Sequence, residues 1–171
     1  MICLTINLSA CSYKTYFSEE NYSEVWECSG FNPIRYNLYE ESKLFPESID
    51  GINVEEFYAK YDEQIPSGEG FQILLSIKYD DKSEFDKEVE RIALNSIECS
   101  EQFENLDFDF FAYATILGWE DSMEYSIINN DDQIVHYIYV QCTEKQEIEF
   151  EQDLLPTNYS ELDDMKVNTY D

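Results

Sequence analysis

From residue 71 to residue 79 every second side chain is large and apolar: Phe71, Ile73, Leu75, Ile77 and Tyr79. Gln72, Leu74, Ser76 and Lys78 fall between them. Successive side chains of a strand point to opposite faces, so this alternation predicts a half-buried strand, with one face in a core. Further strands are predicted over 57–62, 107–117, 123–129 and 134–141. Pro66-Ser67-Gly68-Glu69-Gly70 makes a turn ahead of the 71–79 strand, and Asn129-Asn130-Asp131-Asp132 joins the last two strands as a tight hairpin.

Two helices complete the pattern. Over 83–96, Ser83 and Asp86 resemble a capping box, and Phe85, Val89, Ile92 and Ala93 form an apolar stripe. Over 18–29, Ser18 suits the cap, Glu19 and Glu20 suit the positive end of the helix dipole, and Gly30 suits the stop. Tyr22, Val25 and Trp26 share a face there and are expected to pack onto the core. Residues 31–52 read as irregular, broken by Pro33 and Pro46. The order is helix, two strands, helix, three strands. It predicts an α+β fold: a mainly antiparallel sheet of about five strands, a helix packed on one face, and an additional N-terminal helix. One domain is expected over 18–142. The polar, acidic stretch 143–171 is expected as a loose tail.

The chain has 171 residues, 43% of them hydrophobic and 16% aromatic, which is no composition for disorder. Its formal net charge is −28, from 38 acidic and 10 basic residues. Such a surface repels phosphate backbones, so direct nucleic-acid binding is not expected, whereas a cationic protein or peptide is an allowed partner. Between Arg91 and Lys145 there is no Lys or Arg at all. The carboxylates of that segment must be solvated, paired with residues elsewhere, or bound to something positive.

The N-terminus carries an address. Leu8-Ser9-Ala10-Cys11, after the apolar and uncharged residues 1–8, has the pattern of a bacterial lipobox. In that pattern the Cys11 thiol accepts a diacylglycerol, and cleavage before Cys11 makes it the new N-terminus. Ser12-Tyr13-Lys14-Thr15-Tyr16-Phe17 would then be a short tether. Ten residues precede Cys11 and none is Lys or Arg, unlike a full signal with its cationic start. The other reading of the same residues is a short buried strand over 2–8.

With its lipobox, tether and acidic, tyrosine-rich body, the chain resembles the small, uncharacterised lipoproteins of Gram-positive bacteria. The resemblance implies a signal remnant over 1–10, a lipid-anchored tether over 11–17, and a domain on the extracytoplasmic face of the cell membrane. It brings no catalytic residues with it.

No residue set forms a recognisable catalytic constellation, and neither an enzyme activity, a cofactor nor a metal is expected. His136, the single histidine, shares a strand face with Ile134, Ile138 and Val140 and reads as structural. Cys3, Cys11, Cys28, Cys99 and Cys142 contain no C-x-x-C pair. The acidic clusters at Asp80-Asp81, Glu120-Asp121 and 129–132 fit no calcium-loop spacing and are explained by caps and turns. Tyr58, Tyr113, Tyr137 and Tyr139 fall opposite the residues assigned to the core. They would form a partner-binding aromatic surface if no second layer covers that face, and core if the 18–29 helix covers it. The expectation is a lipid-anchored binding or accessory domain. The alternative is a cytoplasmic acidic mimic of DNA that blocks a nucleic-acid-binding protein.

Overall fold

A computed structural model describes residues 12–27, 44–64, 68–97, 111–115, 122–141, 147–157 and 159. Six strands form one sheet: β1 (Ser12–Phe17), β2 (Val54–Gln64), β3 (Gly68–Lys78), β4 (Ala112–Thr115), β5 (Ser122–Asn129) and β6 (Ile134–Gln141). Their order across the sheet is β1-β2-β3-β6-β5-β4, and every neighbouring pair is antiparallel. Two three-stranded meanders thus meet along β3 and β6. Helix α1 (Tyr22–Glu27) follows β1 after a short 3-10 turn, and helix α2 (Lys82–Ile97) links the meanders. The fold is α+β.

The sixth strand is the one the sequence hid. Residues 12–17, expected as a tether, pair with β2 from Ser12 opposite Gln64 to Phe17 opposite Ala59. Mixed polar and aromatic residues suit an edge strand, where only one side of the backbone ladder is filled.

Both faces of the sheet are covered. On one, Phe71, Ile73, Leu75 and Ile77 join Ala59, Tyr61, Val135, Tyr137 and Tyr139. Tyr22 and Val25 of α1, Phe85 and Ile92 of α2, and Leu44, Phe45 and Ile49 close over them. Aromatic pairs run through this layer edge to face, as between Phe71 and Tyr139 and between Tyr22 and Phe57. On the other face, Leu74, Tyr125, Ile127, Ile138 and Val140 lie under Ile148, Phe150, Leu154, Leu155 and Tyr159. The region from Glu147 to Tyr159 is therefore a strap across the sheet, not part of a loose tail. For the same reason β3 is not half-buried: residues 71–77 are buried on both faces.

The caps also differ from expectation. Ser18 gives its hydroxyl to Asn21 rather than to the backbone. The cap of α2 is Asp81, whose carboxylate accepts the Ser83 and Glu84 amides at 2.7 and 3.1 Å, so the helix starts at Lys82.

Candidate functional site

The strap is seated on β2 and β3 by polar groups aimed at its backbone and at one carboxylate. Gln72 and Lys60 are register partners on adjacent strands, each with only 3% of its surface exposed. The Gln72 carboxamide donates to the Glu147 carbonyl at 3.1 Å and accepts from the Glu149 amide at 2.9 Å. It thus pairs with the strap as another strand would. Lys60 Nζ lies 2.5 Å from Glu149 Oε1. The Tyr58 hydroxyl donates to Glu149 Oε2 at 3.1 Å, and the exposed Tyr16 hydroxyl sits at 3.3 Å from it. The Lys60 ammonium also stands 5.9 Å from the Tyr16 ring centroid. These donors, Lys60 first, hold the Glu149 carboxyl below its ordinary value even though the side chain is 40% exposed. Burial, and then the Glu149 carboxylate, push the Tyr58 hydroxyl up.

Further along the same face, Ser76 Oγ and His136 Nδ1 are 2.8 Å apart across β3 and β6. Burial lowers the His136 pKa, and the Asp153 charge opposes that only in part. Glu56 is the register partner of Ser76, and its carboxyl is raised by burial and by the Glu151 charge. A serine, an imidazole and nearby carboxylates invite comparison with a nucleophilic triad. Ser76 is buried, with 2% of its surface exposed, and its hydroxyl and the imidazole satisfy each other within the core.

On the helix face, the Tyr137 hydroxyl donates to Glu88 at 2.6 Å, and Arg91 clamps the same carboxylate at 2.6 and 2.8 Å. Arg91 also donates to the Leu44 carbonyl. The fully buried Glu124 accepts the Leu44 and Phe45 amides at 2.9 and 3.3 Å. Together these tie the 44–49 segment over the core. Burial pushes the Tyr79 hydroxyl, 3.1 Å from that of Tyr137, up to about 12.

The exterior is dominated by carboxylates. Among the cationic residues whose side chains are described, Lys82 and Lys87 are the exposed ones, and Lys82 is paired with Asp86. A cleft of about 310 Å³ between the start of α1 and the 47–52 turn is lined by Glu19, Glu20, Glu47 and Asp50. At one end of the sheet the Tyr79 amide donates to the Gln133 carbonyl, bringing Asp80 and Asp81 beside the turn that holds Asp131 and Asp132. Among the described residues no group of three or more His, Cys, Asp and Glu is placed to hold a metal ion. No described helix is long and apolar enough to cross a membrane.

The four tyrosines expected to share a surface do not. Tyr137 and Tyr139 are buried in the helix-side core, with Tyr113 packed against it. Tyr58 is on the opposite face, in the strap seat. The helices cover the face on which Tyr137 and Tyr139 lie, which makes them core. Leu8, Ser9, Ala10, Cys11 and the other four cysteines lie outside the described residues. The seat residues Lys60, Gln72 and Glu149 were not singled out in the sequence. The one available signal was a Gln and a Lys in otherwise apolar strands. Comparison with family models, with curated proteins and with solved structures finds no match for this chain.

Proposed function

We propose that this chain is a non-enzymatic binding or accessory domain, carried by a lipid on Cys11 at the extracytoplasmic face of a bacterial membrane, that docks a cationic protein or peptide on its carboxylate surface. The observation that supports a cationic partner is the excess of carboxylates on the exterior, where Lys82 and Lys87 are the exposed cations among the residues whose side chains are described. The layout is compatible with an anchor. Cys11 would leave the sheet beside Ser12, opposite Gln64, whereas the Asp80-Asp81 and Asp131-Asp132 turns lie at the other end. At the rise of a strand those ends are about 30 Å apart, so a lipid at one end leaves the acidic end facing away from the bilayer.

Labelled fatty-acid incorporation and mass spectrometry of the mature N-terminus test the anchor. The expected result is a lipidated Cys11 as first residue, and loss of label in Cys11→Ala with the fold retained. Two or three acyl chains hold a soluble domain firmly where one does not.

A second reading is favoured by β1 itself. The sheet begins at Ser12, which leaves no spacer between Cys11 and the folded body. An unmodified Cys11 with residues 1–10 intact in the cytoplasm supports that reading: an acidic mimic of DNA. Its contact surface would then lie within 98–132.

A further inference from the structure

We propose that the sheet face under the strap is a peptide-binding surface, and that it takes the 147–159 segment of a second copy of this chain to give a strap-exchanged dimer. The seat has the form of a recognition site rather than of ordinary core. Gln72 reads backbone groups on either side of Ile148. Lys60 and Tyr58 read the Glu149 side chain. Ile148 and Phe150 enter the apolar layer on both sides of that carboxylate, with the Phe150 ring 6.3 Å from that of Tyr58. Further on, the Tyr125 hydroxyl donates to the Leu154 carbonyl at 3.0 Å. The strap is thus held by side-chain bonds from the sheet face to its backbone, by a charge and by the apolar anchors Ile148, Phe150, Leu154 and Leu155, with a 3-10 turn over 152–154 between them.

The occupant is specified over its whole length. Only a chain that carries apolar residues at 148, 150, 154 and 155 together with the carboxylate at 149 satisfies every contact, and a second copy supplies all of them. The same contacts made between copies have the same local energy, which is why exchange of an identical element is a low-cost route to dimers. Two terms oppose it. The strap of the same chain competes at an effective concentration of about millimolar. Copies of charge −28 also repel until salt screens them. Dimer is therefore expected at high protein concentration and high salt, or wherever the latch within one chain is broken.

A charge reversal separates the two modes in the full-length chain. Lys60→Glu and Glu149→Lys each place like charges in the seat, and each alone should be a monomer with a lowered melting temperature. Refolded together in high salt, they restore opposite charges only between chains. The expected result is a dimer by light scattering with a melting temperature near that of the unaltered protein. The double variant K60E/E149K should recover as a monomer. A mixture that stays monomeric while the double variant recovers overturns the proposal. A double variant that does not recover overturns it as well, because the seat then does not read the charge. Should Lys60→Glu fail to fold, a labelled peptide of residues 147–159 is titrated into full-length Glu149→Ala. Binding about tenfold tighter than to the unaltered chain, and lost on adding Gln72→Ala, is expected once the competing strap is weakened. No binding to folded Glu149→Ala overturns the proposal.

Discussion

The two faces of the sheet are closed by different kinds of cover. The helix face is roofed mainly by α1 and α2, whose backbone bonds are made internally, so their side chains are free to pack as an aromatic layer. The strap has few bonds of its own: Leu154 to Glu151, Leu155 to Gln152 and Tyr159 to Pro156. It takes further bonds from the sheet, through Gln72 and the Tyr125 hydroxyl. Buried backbone must be paired somewhere, and a cover with only one short 3-10 turn of its own makes the surface beneath it polar at chosen points. Gln72, Ser76 and Lys60 are those points, and the helix face has no equivalent row on β2 and β3.

The largest effect should come from removing one aromatic side chain from each cover. Phe85→Ala, in α2 and fully buried, is expected to lower stability by about 4 kcal/mol. Phe150→Ala in the strap should lower it by about 3 kcal/mol, since that ring is slightly exposed. The kind of loss should differ too. Hydrogen exchange should rise throughout the sheet for Phe85→Ala, but chiefly in the strap and at Tyr125 for Phe150→Ala. Equal, global loss of protection in both variants would mean that the strap is no separate layer and that the comparison between the faces fails.

The latch should come next. Glu149→Ala leaves the Lys60 ammonium buried without its carboxylate, and about 2 kcal/mol is expected, trimmed by solvent because Glu149 is 40% exposed. The sign with pH follows from the lowered Glu149 pKa. In the unfolded chain the group titrates near 4.5, so that state takes up its proton first as pH falls. The latch contributes in full above about pH 4.5 and is lost as pH drops through the lower folded value. Denaturant titrations of unaltered and Glu149→Ala protein should therefore converge as the solution is acidified. A constant gap would place the stabilisation elsewhere.

The same contrast explains what was legible in the sequence. A helix announces its buried face by spacing, and Phe85, Val89 and Ile92 are where periodicity places them. The alternation of β3 and the 134–141 strand are equally plain. The strap has no period. Ile148, Phe150, Leu154 and Leu155 are set among acids, and nothing local separates them from a solvated tail. β1 was missed because edge strands carry little alternation, and its pairing is set by β2, more than 40 residues away. Spacing puts Tyr137 and Tyr139 on one face, but that this face is the core shared with Phe71, Ile73 and Leu75 depends on where α1 and α2 land, a tertiary matter. Lys60, Gln72 and Glu149 become a group only when the strap crosses β2 and β3.

A smaller effect should separate the two faces by pH. His136 lies only on the strap face, and burial lowers its pKa below the unfolded 6.5. The unfolded state therefore binds the proton first. Stability attached to the neutral imidazole is complete above about pH 6.5 and declines as pH falls toward the folded value. His136→Gln should flatten the decline of stability that sets in as pH falls below 6.5. The slope should survive in Phe85→Ala, which leaves the strap face intact. An unchanged slope in His136→Gln would show that the imidazole is not the group that titrates.

The smallest expected change lies at a turn that belongs to neither cover. Gln133, at the acidic end between β5 and β6, has φ of 56°, a left-handed conformation that L side chains adopt with strain. Its side-chain carbonyl is buried without a hydrogen-bond partner. Only its backbone carbonyl is used, by the Tyr79 amide. Gln133→Gly keeps that bond and removes both penalties, against the greater freedom glycine gains in the unfolded chain. A net rise of about 0.5 kcal/mol is expected. Because the turn anchors β3 and β6, which carry both faces, the rise should appear as equally slowed exchange under the helices and under the strap. Slowing confined to one face would show that the covers respond independently to the strands they share.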